Sequence, residues 1–448
     1  MRLLNCGLAA LLLARSAIAR VLPRQGDGKH QVFAHYMVGL TNGQTRDQWE
    51  KDITEAQSAG IDGFALNIGS ADFWNADQLQ LAYDTAASHG FSLFLSFDML
   101  ASSWSIDQVV SLVNQYKEVG SQLKVDGKPL VSTFEGTDWV DNWASVRSAT
   151  GDIFLVPDWS SLGAPGVGER LPLIDGAFNW GAWPNANELT ISTGNDIAYQ
   201  SALQGKAYMM GVSPYFYTNL PQYNKNWYSS SDSLWYDRWK QVLEIDPEYI
   251  EIITCKRVVY AGGRTIPRQP GLTSIGNDYG ESSYINDPIP AQIVSGAETY
   301  VDGFAHSAFR FILPYFISAY KTGNRDVELQ AEGAVAWYRT TPISVCSDGG
   351  TVWGQGGDAS AAGGTRDVIS VIALSNSPQN ITVTIGGSTQ TVSPSDTVGK
   401  ASFYQVPFDG QSGAVTVTIG CKTTTGPEIT NACPASGHVN FNSVAIQL

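Results

Sequence analysis

Positive charge is scarce in this chain. Against 42 Asp and Glu stand only 27 Lys and Arg, a formal net charge of −15 at pH 7. Phosphate backbones and anionic lipid are bound through clustered Lys and Arg that displace counterions, so this balance argues against nucleic acid and membrane surfaces as partners. Long apolar runs are missing as well: beyond the N-terminal stretch no segment reaches the roughly 18 uninterrupted apolar residues of a membrane span. Cysteine is sparse, five in 448 residues, with no Cys-x-x-Cys and no Cys/His ligand spacing, so no metal site is expected. No glycine-rich phosphate fingerprint follows the first β-rich run, which counts against a nucleotide-binding fold. Charged residues of either sign make up 15% against 43% hydrophobic, the balance of an ordered globular chain rather than a disordered one.

What the chain has in quantity is aromatic rings, with 13 Trp and 19 Tyr. Most rings in any large domain belong to its core. In an acidic chain a surplus also suits a neutral, hydroxyl-rich ligand, whose C–H faces stack on rings while polar side chains bond its hydroxyls. Sugar polymers have that chemistry. Met1-Arg2, the apolar stretch through Leu11-Leu12-Leu13 and the small-x-small site Ala17-Ile18-Ala19 read as a signal peptide over 1–19, followed by a short propeptide or linker over 20–31. The protein is therefore expected to be secreted and extracellular, and a monomer. Residues 439–448 lack the spacer and hydrophobic tail of a lipid-anchor signal. Cys6 leaves with the signal peptide. Of Cys255, Cys346, Cys421 and Cys433, the pair Cys421 and Cys433 is expected to close a short loop in an oxidising compartment. Asn380-Ile381-Thr382 is an N-glycosylation sequon.

From Val32 onward short β-rich runs alternate with amphipathic stretches, the mark of parallel βα units. The expected strands are 32–38, 63–68, 92–97, 129–134, 153–157, 176–180, 207–212 and 249–254, with helices such as 45–59, 76–89 and 106–119 between them. Eight such units close into a (β/α)8 TIM barrel, expected over 32–345, with an open doubly wound sheet as the competing arrangement. The apolar, aromatic stretch 301–322 should pack the last helix on the barrel. From about Cys346 the texture changes to alternating apolar and polar residues between Gly, Ser, Asn and Asp turns. Residues 346–448 are expected to form a small C-terminal β-sandwich, either a carbohydrate-binding unit or a brace for the barrel.

Catalytic groups of such a barrel sit where strands run into the loops that follow them. That rule selects Asp98, Glu135 and Asp158, together with His35, Asn67, Trp180, Trp183 and Tyr215, as residues lining a substrate cleft. A strand-end Asp also serves as a helix cap, which is the structural alternative for Asp98 and Asp158. Asp62 precedes the second strand, at the opposite face, and reads as structural. Asp278 and Glu281, in Asn277-Asp278-Tyr279-Gly280-Glu281-Ser282, put two acids in one tight turn. Glycosidic cleavage requires such a pair, one carboxyl protonated to release the leaving oxygen and one ionised to activate water or attack carbon.

That hexapeptide, with His35-Tyr36-Met37-Val38-Gly39 and Gly60-Ile61-Asp62-Gly63-Phe64-Ala65-Leu66-Asn67, resembles glycoside hydrolase family 71, the fungal endo-α-1,3-glucanases or mutanases. The likeness runs from Val32 to about Thr341 and more loosely through the sandwich. It implies a (β/α)8 barrel with a β-sandwich, hydrolysis of α-1,3-glucan with inversion, Asp278 and Glu281 as the catalytic carboxyls, and no metal or organic cofactor. Glu281 is assigned as general acid and Asp278 as general base.

One stretch departs from the family. There the eighth strand runs directly into the catalytic turn, in the manner of Ile-Ile-Thr-Trp-Asn-Asp, whereas here residues 255–276 intervene, carrying Lys256, Arg257, Arg264 and Arg268 and no acid. Codons exist for Cys255-Lys256, Leu272-Thr273 and Ile275-Gly276 that would supply a 5′ splice signal, a branch sequence and a terminal AG, and their removal would restore the missing Trp. The stretch thus reads as a translated intron, with a substrate-specificity loop as the competing reading. Two other functions compete with α-1,3-glucan hydrolysis: a hydrolase of another polysaccharide on the same barrel, and a non-catalytic glucan-binding protein.

Overall fold

The computed structural model describes residues 30–100, 103–254 and 279–448. The expected signal peptide, the stretch 255–276 and Asp278 lie outside the described residues.

Eight parallel strands close on themselves: β1 (Gln31–Met37), β2 (Gly63–Ile68), β3 (Ser92–Asp98), β4 (Lys128–Phe134), β5 (Phe154–Asp158), β6 (Gly176–Asn179), β7 (Ala207–Val212) and β8 (Tyr249–Ile252). Each pairs with the next, and β8 returns to β1 with Gln31 opposite Tyr249 and Ala34 opposite Ile252. No edge is left open, so the competing doubly wound sheet is ruled out. Helices α1 (Arg46–Ser58), α2 (Asn75–His89), α3 (Ile106–Tyr116), α4 (Trp143–Thr150), α5 (Gly163–Gly168), α6 (Gly194–Leu203), α7 (Leu234–Ile245) and α8 (Leu313–Thr322) belong to the surrounding layer. Their ends follow from local chemistry. At the start of α3, Ser105 N–H donates to Gln108 Oε1 at 2.9 Å while Gln108 N–H donates to Ser105 Oγ at 3.2 Å, a reciprocal cap on two donors the helix cannot use. None of the described helices is long and apolar enough to cross a membrane.

Helices cover the outer face of the barrel, so its strands are buried on both sides and read as nearly unbroken apolar runs. The interior is filled from below by Phe33, Ala65, Phe94, Phe178, Met209 and Tyr249. Towards the C-terminal ends polar residues take over at buried positions: His35, Asn67, Asp98, Asp158 and Glu251 are all at most 2% exposed. At the opposite end Asp62 accepts from Val32 N–H at 2.8 Å and pairs with Lys321 at 2.6 Å, tying β2 to β1 and α8 in the structural role expected for it.

Between β7 and α7 the chain makes a hairpin, Phe216–Leu220 with Lys225–Ser229, and the short strand Val352–Trp353 from the C-terminal region joins it in parallel. The sandwich strands are β9 (Gly333–Tyr338), β10 (Val368–Leu374), β11 (Ile381–Ile385), β12 (Ser388–Val392), β13 (Asp396–Val398), β14 (Ala401–Pro407), β15 (Gly413–Ile419), β16 (Lys422–Ile429) and β17 (Val444–Gln447). One sheet runs β13-β14-β10-β9-β17 and the other β12-β11-β15-β16. Strand β9, on the barrel side of the expected boundary at Cys346, is thus part of the sandwich and pairs with both β10 and β17. Its residues alternate between two cores: Ala334, Ala336 and Tyr338 face the second sheet, while Val335 and Trp337 join the barrel's outer cluster. Phe403 stacks on Tyr236 of α7 at 5.1 Å and Trp337 meets Phe309 at 5.7 Å. Rings buried so fully contribute about 1.5–3 kcal/mol each, which fixes the sandwich to the barrel as one body.

The expected Cys421–Cys433 bridge is not the one formed. Cys433 is bonded to Cys346, with Cα atoms 5.7 Å apart, and Cys421 is free and exposed. Cys421 occupies the tight turn from β15 to β16, whereas the chain after β16 returns to the barrel side. There Val439 N–H donates to Ser347 O at 2.8 Å, which sets the 346–347 and 433–439 segments side by side. Proximity in sequence misled here because a hairpin turn separates its neighbours as effectively as distance does.

Candidate active site

Strand ends deliver the polar residues of the mouth. On β1, His35 Nδ1 lies 2.5 Å from Glu251 Oε1 on β8. A carboxylate only accepts, so the proton of this bond is on Nδ1. Asp98 Oδ1 accepts from Leu100 N–H at 3.1 Å, and Asp158 Oδ1 accepts from Ser160 N–H at 3.0 Å and from the Ser160 hydroxyl. Both acids therefore hold the turn leaving their own strand, through the N–H two residues on, and neither caps a long helix. Burial pushes the Asp158 pKa well above the ordinary carboxylate range, and the nearby charges of Glu135 and Glu251 push it further, so the neutral acid is favoured. Glu135, the residue after β4, takes the left-handed region at φ 52°, followed by Gly136 at φ 98°. A Cβ on Gly136 would come within 2.6 Å of Met99 Cβ, so the turn requires glycine there. The carboxylate of Glu135 is fastened by Ser161 N–H at 3.1 Å and Ser161 Oγ at 2.6 Å, which pays for its unusual backbone.

Several polar atoms at this end are buried without a hydrogen-bond partner among the described residues: Asn67 Oδ1, Asp158 Oδ2, Glu251 Oε2 and the indole N–H groups of Trp180 and Trp183. Such atoms cost free energy wherever nothing bonds them, and together they offer donors and acceptors suited to hydroxyl groups. The rings form a continuous wall. Trp180 meets His35 edge-on at 5.1 Å, Phe134 at 4.8 Å and Trp183 at 6.5 Å. Trp183 meets Phe216 at 5.2 Å, and Phe216 stacks on Trp227 at 5.6 Å. Lys225 Nζ stands 6.0 Å from the Trp227 ring.

That lysine leads to Glu281. Lys225 Nζ and Glu281 Oε1 are 2.7 Å apart, with side chains 12% and 0% exposed. The turn bearing Glu281 is pinned from several sides. Tyr217 N–H donates to Glu281 O at 3.2 Å, Tyr300 Oη to Gly280 O at 2.7 Å and Tyr279 Oη to Asp287 O at 3.0 Å, while Ser282 takes a left-handed φ of 53°. The carboxyl is thus rigidly presented, and Asp278 three residues before it lies outside the described residues.

Tyr215 is placed elsewhere. It is 1% exposed and its hydroxyl bonds His306 Nε2 at 2.8 Å and Asn442 Oδ1 at 2.6 Å, in the seam with the C-terminal region. Burial pushes the His306 pKa down to about 4, so this contact is between neutral groups. A ring sealed there has no face for a sugar, and its expected place in the cleft is corrected. Two residues escaped sequence reasoning. Glu251 was legible as an acid inside an apolar strand, Tyr249-Ile250-Glu251-Ile252, but Lys225 carried no signal because the hairpin bearing it reads as a loop.

A closed barrel whose C-terminal mouth gathers carboxyls and an indole wall defines an enzyme of the glycoside hydrolase class. The chain belongs to glycosyl hydrolase family 71, whose profile matches residues 28–255 and 275–448. It is 36% identical to glucan endo-1,3-alpha-glucosidase agn1 of Schizosaccharomyces pombe over 418 residues, covering 90% of this chain and 87% of that one. It is 31% identical to a mutanase of Penicillium rubens, covering 96% of this chain and 91% of the relative. To an ascus wall endo-1,3-alpha-glucanase of S. pombe it is 30% identical, covering 80% and 81%.

Proposed function

We propose that this protein is a secreted hydrolase of α-1,3-glucan that acts with inversion, Glu281 serving as general acid and Asp278 as general base. The observation that carries the reading is the Glu281 turn, which presents a wholly buried carboxyl with its backbone bonded to the hairpin whose rings continue the indole wall. The names of the relatives supply the linkage of the substrate. In an inverting reaction Glu281 protonates the departing glycosidic oxygen while Asp278 takes a proton from water attacking the opposite face of the sugar ring. Space for that water requires the two carboxyls to stand roughly 6.5–9.5 Å apart with substrate bound.

Trp180, Trp183 and His35 form the wall on which sugar faces rest. Asn67, Asp98, Glu135 and Asp158 supply hydroxyl contacts, Asp158 as a neutral donor. Reducing-sugar release from insoluble α-1,3-glucan and from β-1,3-glucan tests the linkage, and proton NMR of the first-formed anomer tests the stereochemistry. Release from the β-linked polymer alone, or a first product with α configuration, defeats the proposal.

A further inference from the structure

The contact between Lys225 and Glu281 sets a cation against a fully buried carboxyl. A buried acid surrounded by apolar groups resists ionisation, whereas an ammonium in hydrogen-bond contact favours the ionised form. The lysine is also held in place by more than its own strand. Asn226, next to it, accepts from Thr351 Oγ1 at 2.8 Å and donates to Gly349 O at 2.9 Å. Trp227 and Tyr228 pair with Val352 and Trp353, so a segment of the C-terminal region sets the line of the strand that carries the ammonium. Asn224, immediately before Lys225, turns the chain with a left-handed φ of 56°.

We propose that Lys225 is the positioning residue of the general acid: it orients the Glu281 carboxyl and stabilises the carboxylate left when that group gives up its proton. The inference rests on the reading of Glu281 as the acid. In that step the bond between the anomeric carbon and the glycosidic oxygen breaks, and its electron pair stays on the oxygen. The oxygen takes the Glu281 proton, water forms the new bond to carbon, and the proton of that water passes to Asp278. Negative charge appears on Glu281 as the bond breaks, and Lys225 is already in place to meet it, so no reorganisation is needed at that moment. Among the described residues, the titratable groups beside the turn include Lys225 and Tyr217 from the hairpin, Tyr300 from the segment leading to α8, Tyr279 on the turn itself and Tyr284, whose ring meets that of Tyr279. Burial pushes the Tyr217 phenol up to about 12, so it stays neutral over the working range.

The test compares the full chain with Lys225→Met and Lys225→Arg, measuring kcat and KM on α-1,3-linked oligosaccharides across pH, with thermal melting as the check on folding. Lys225→Met is expected to lose about tenfold to a hundredfold in kcat, the worth of one charge-assisted bond, with little change in KM. Without the cation Glu281 holds its proton more tightly, so the alkaline limb of the profile, set by the acid, should move up by about one to two pH units. Lys225→Arg should return the limb towards its original place. Lower activity with both limbs unmoved, or an arginine variant no better than the methionine one, overturns the proposal. Movement of the acidic limb alone would uphold the coupling of Lys225 to Glu281 and overturn instead the reading of Glu281 as the acid.

Discussion

His35 and Glu251 join across the seam where β1 meets β8, Nδ1 to Oε1 at 2.5 Å, beside the Thr254 hydroxyl that donates to His35 O at 2.8 Å. The barrel is therefore closed at its mouth by polar side chains as well as by backbone pairing. Because Glu251 has an imidazole partner inside the barrel, it differs in circumstance from Glu281, which meets a lysine from the hairpin. The two buried acids should respond differently to loss of charge.

Glu281→Gln and Asp278→Asn are each expected to reduce glucan hydrolysis by about a thousandfold or more, since each removes one half of the proposed acid–base pair. Glu251→Gln keeps an acceptor for His35 Nδ1 and should lose about tenfold. Initial rates at saturating substrate, with circular dichroism to confirm folding, check this. Near-normal turnover in either Glu281→Gln or Asp278→Asn rejects the pair.

The two tryptophans of the wall should separate into different effects. Trp180 touches His35, Phe134, Phe178 and Trp183, and its loss opens the inner core, costing about 3–5 kcal/mol of stability. Trp183 is only half-buried. Trp183→Ala should therefore keep its melting temperature within a few degrees while binding long glucan chains less well. Pull-down on insoluble polymer together with calorimetric melting distinguishes the two, and unchanged binding by Trp183→Ala removes it from the cleft.

A pH effect is expected far from the mouth. Asp52 on α1 is buried against Tyr36 Oη at 2.6 Å, and burial lifts its pKa to about 7 despite that hydrogen bond. The folded value lies above the unfolded value of about 3.9, so the native chain holds this proton more tightly. The associated stability is complete below pH about 4 and is lost as pH rises through about 7. Asp52→Asn cannot ionise, so its stability relative to the parent should improve steadily between pH 4 and pH 8. Parallel melting curves for the two proteins over that range would contradict the assignment.

The family profile resumes at residue 275 after stopping at 255, so it leaves 256–274 unmatched. We propose that the segment is a retained intron, and mature message from producing cells should then encode a single Trp in place of 255–276. Protein without the segment should be the better catalyst. Finding all of its codons in spliced message would make it a loop of the enzyme.

The barrel was legible because its strands are short, apolar and regularly separated by amphipathic helices; Gly63–Ile68 and Ala207–Val212 fall where sequence alone puts them. Strand-end position likewise pointed to Asp98, Glu135 and Asp158. Contacts made across long separations were not legible. Nothing near Lys225 in the chain announces Glu281, nothing near Cys346 announces Cys433, and β9 looks like the tail of the barrel until β17 arrives to pair with it. Tyr215 misled for a related reason: a ring at a strand end counts as mouth only until another domain covers it.

The two-residue strand Val352–Trp353 bears on how such enzymes are built and rebuilt. It belongs to the C-terminal region of the chain yet completes a sheet with the hairpin that follows β7, so the boundary between the two units is crossed there. A barrel cut away from its sandwich would lose the outer strand of the hairpin sheet. Exchange of C-terminal regions between relatives would succeed only where donor and recipient agree on that strand and on the hairpin it meets. The C-terminal region is in this respect a part of the barrel's framework.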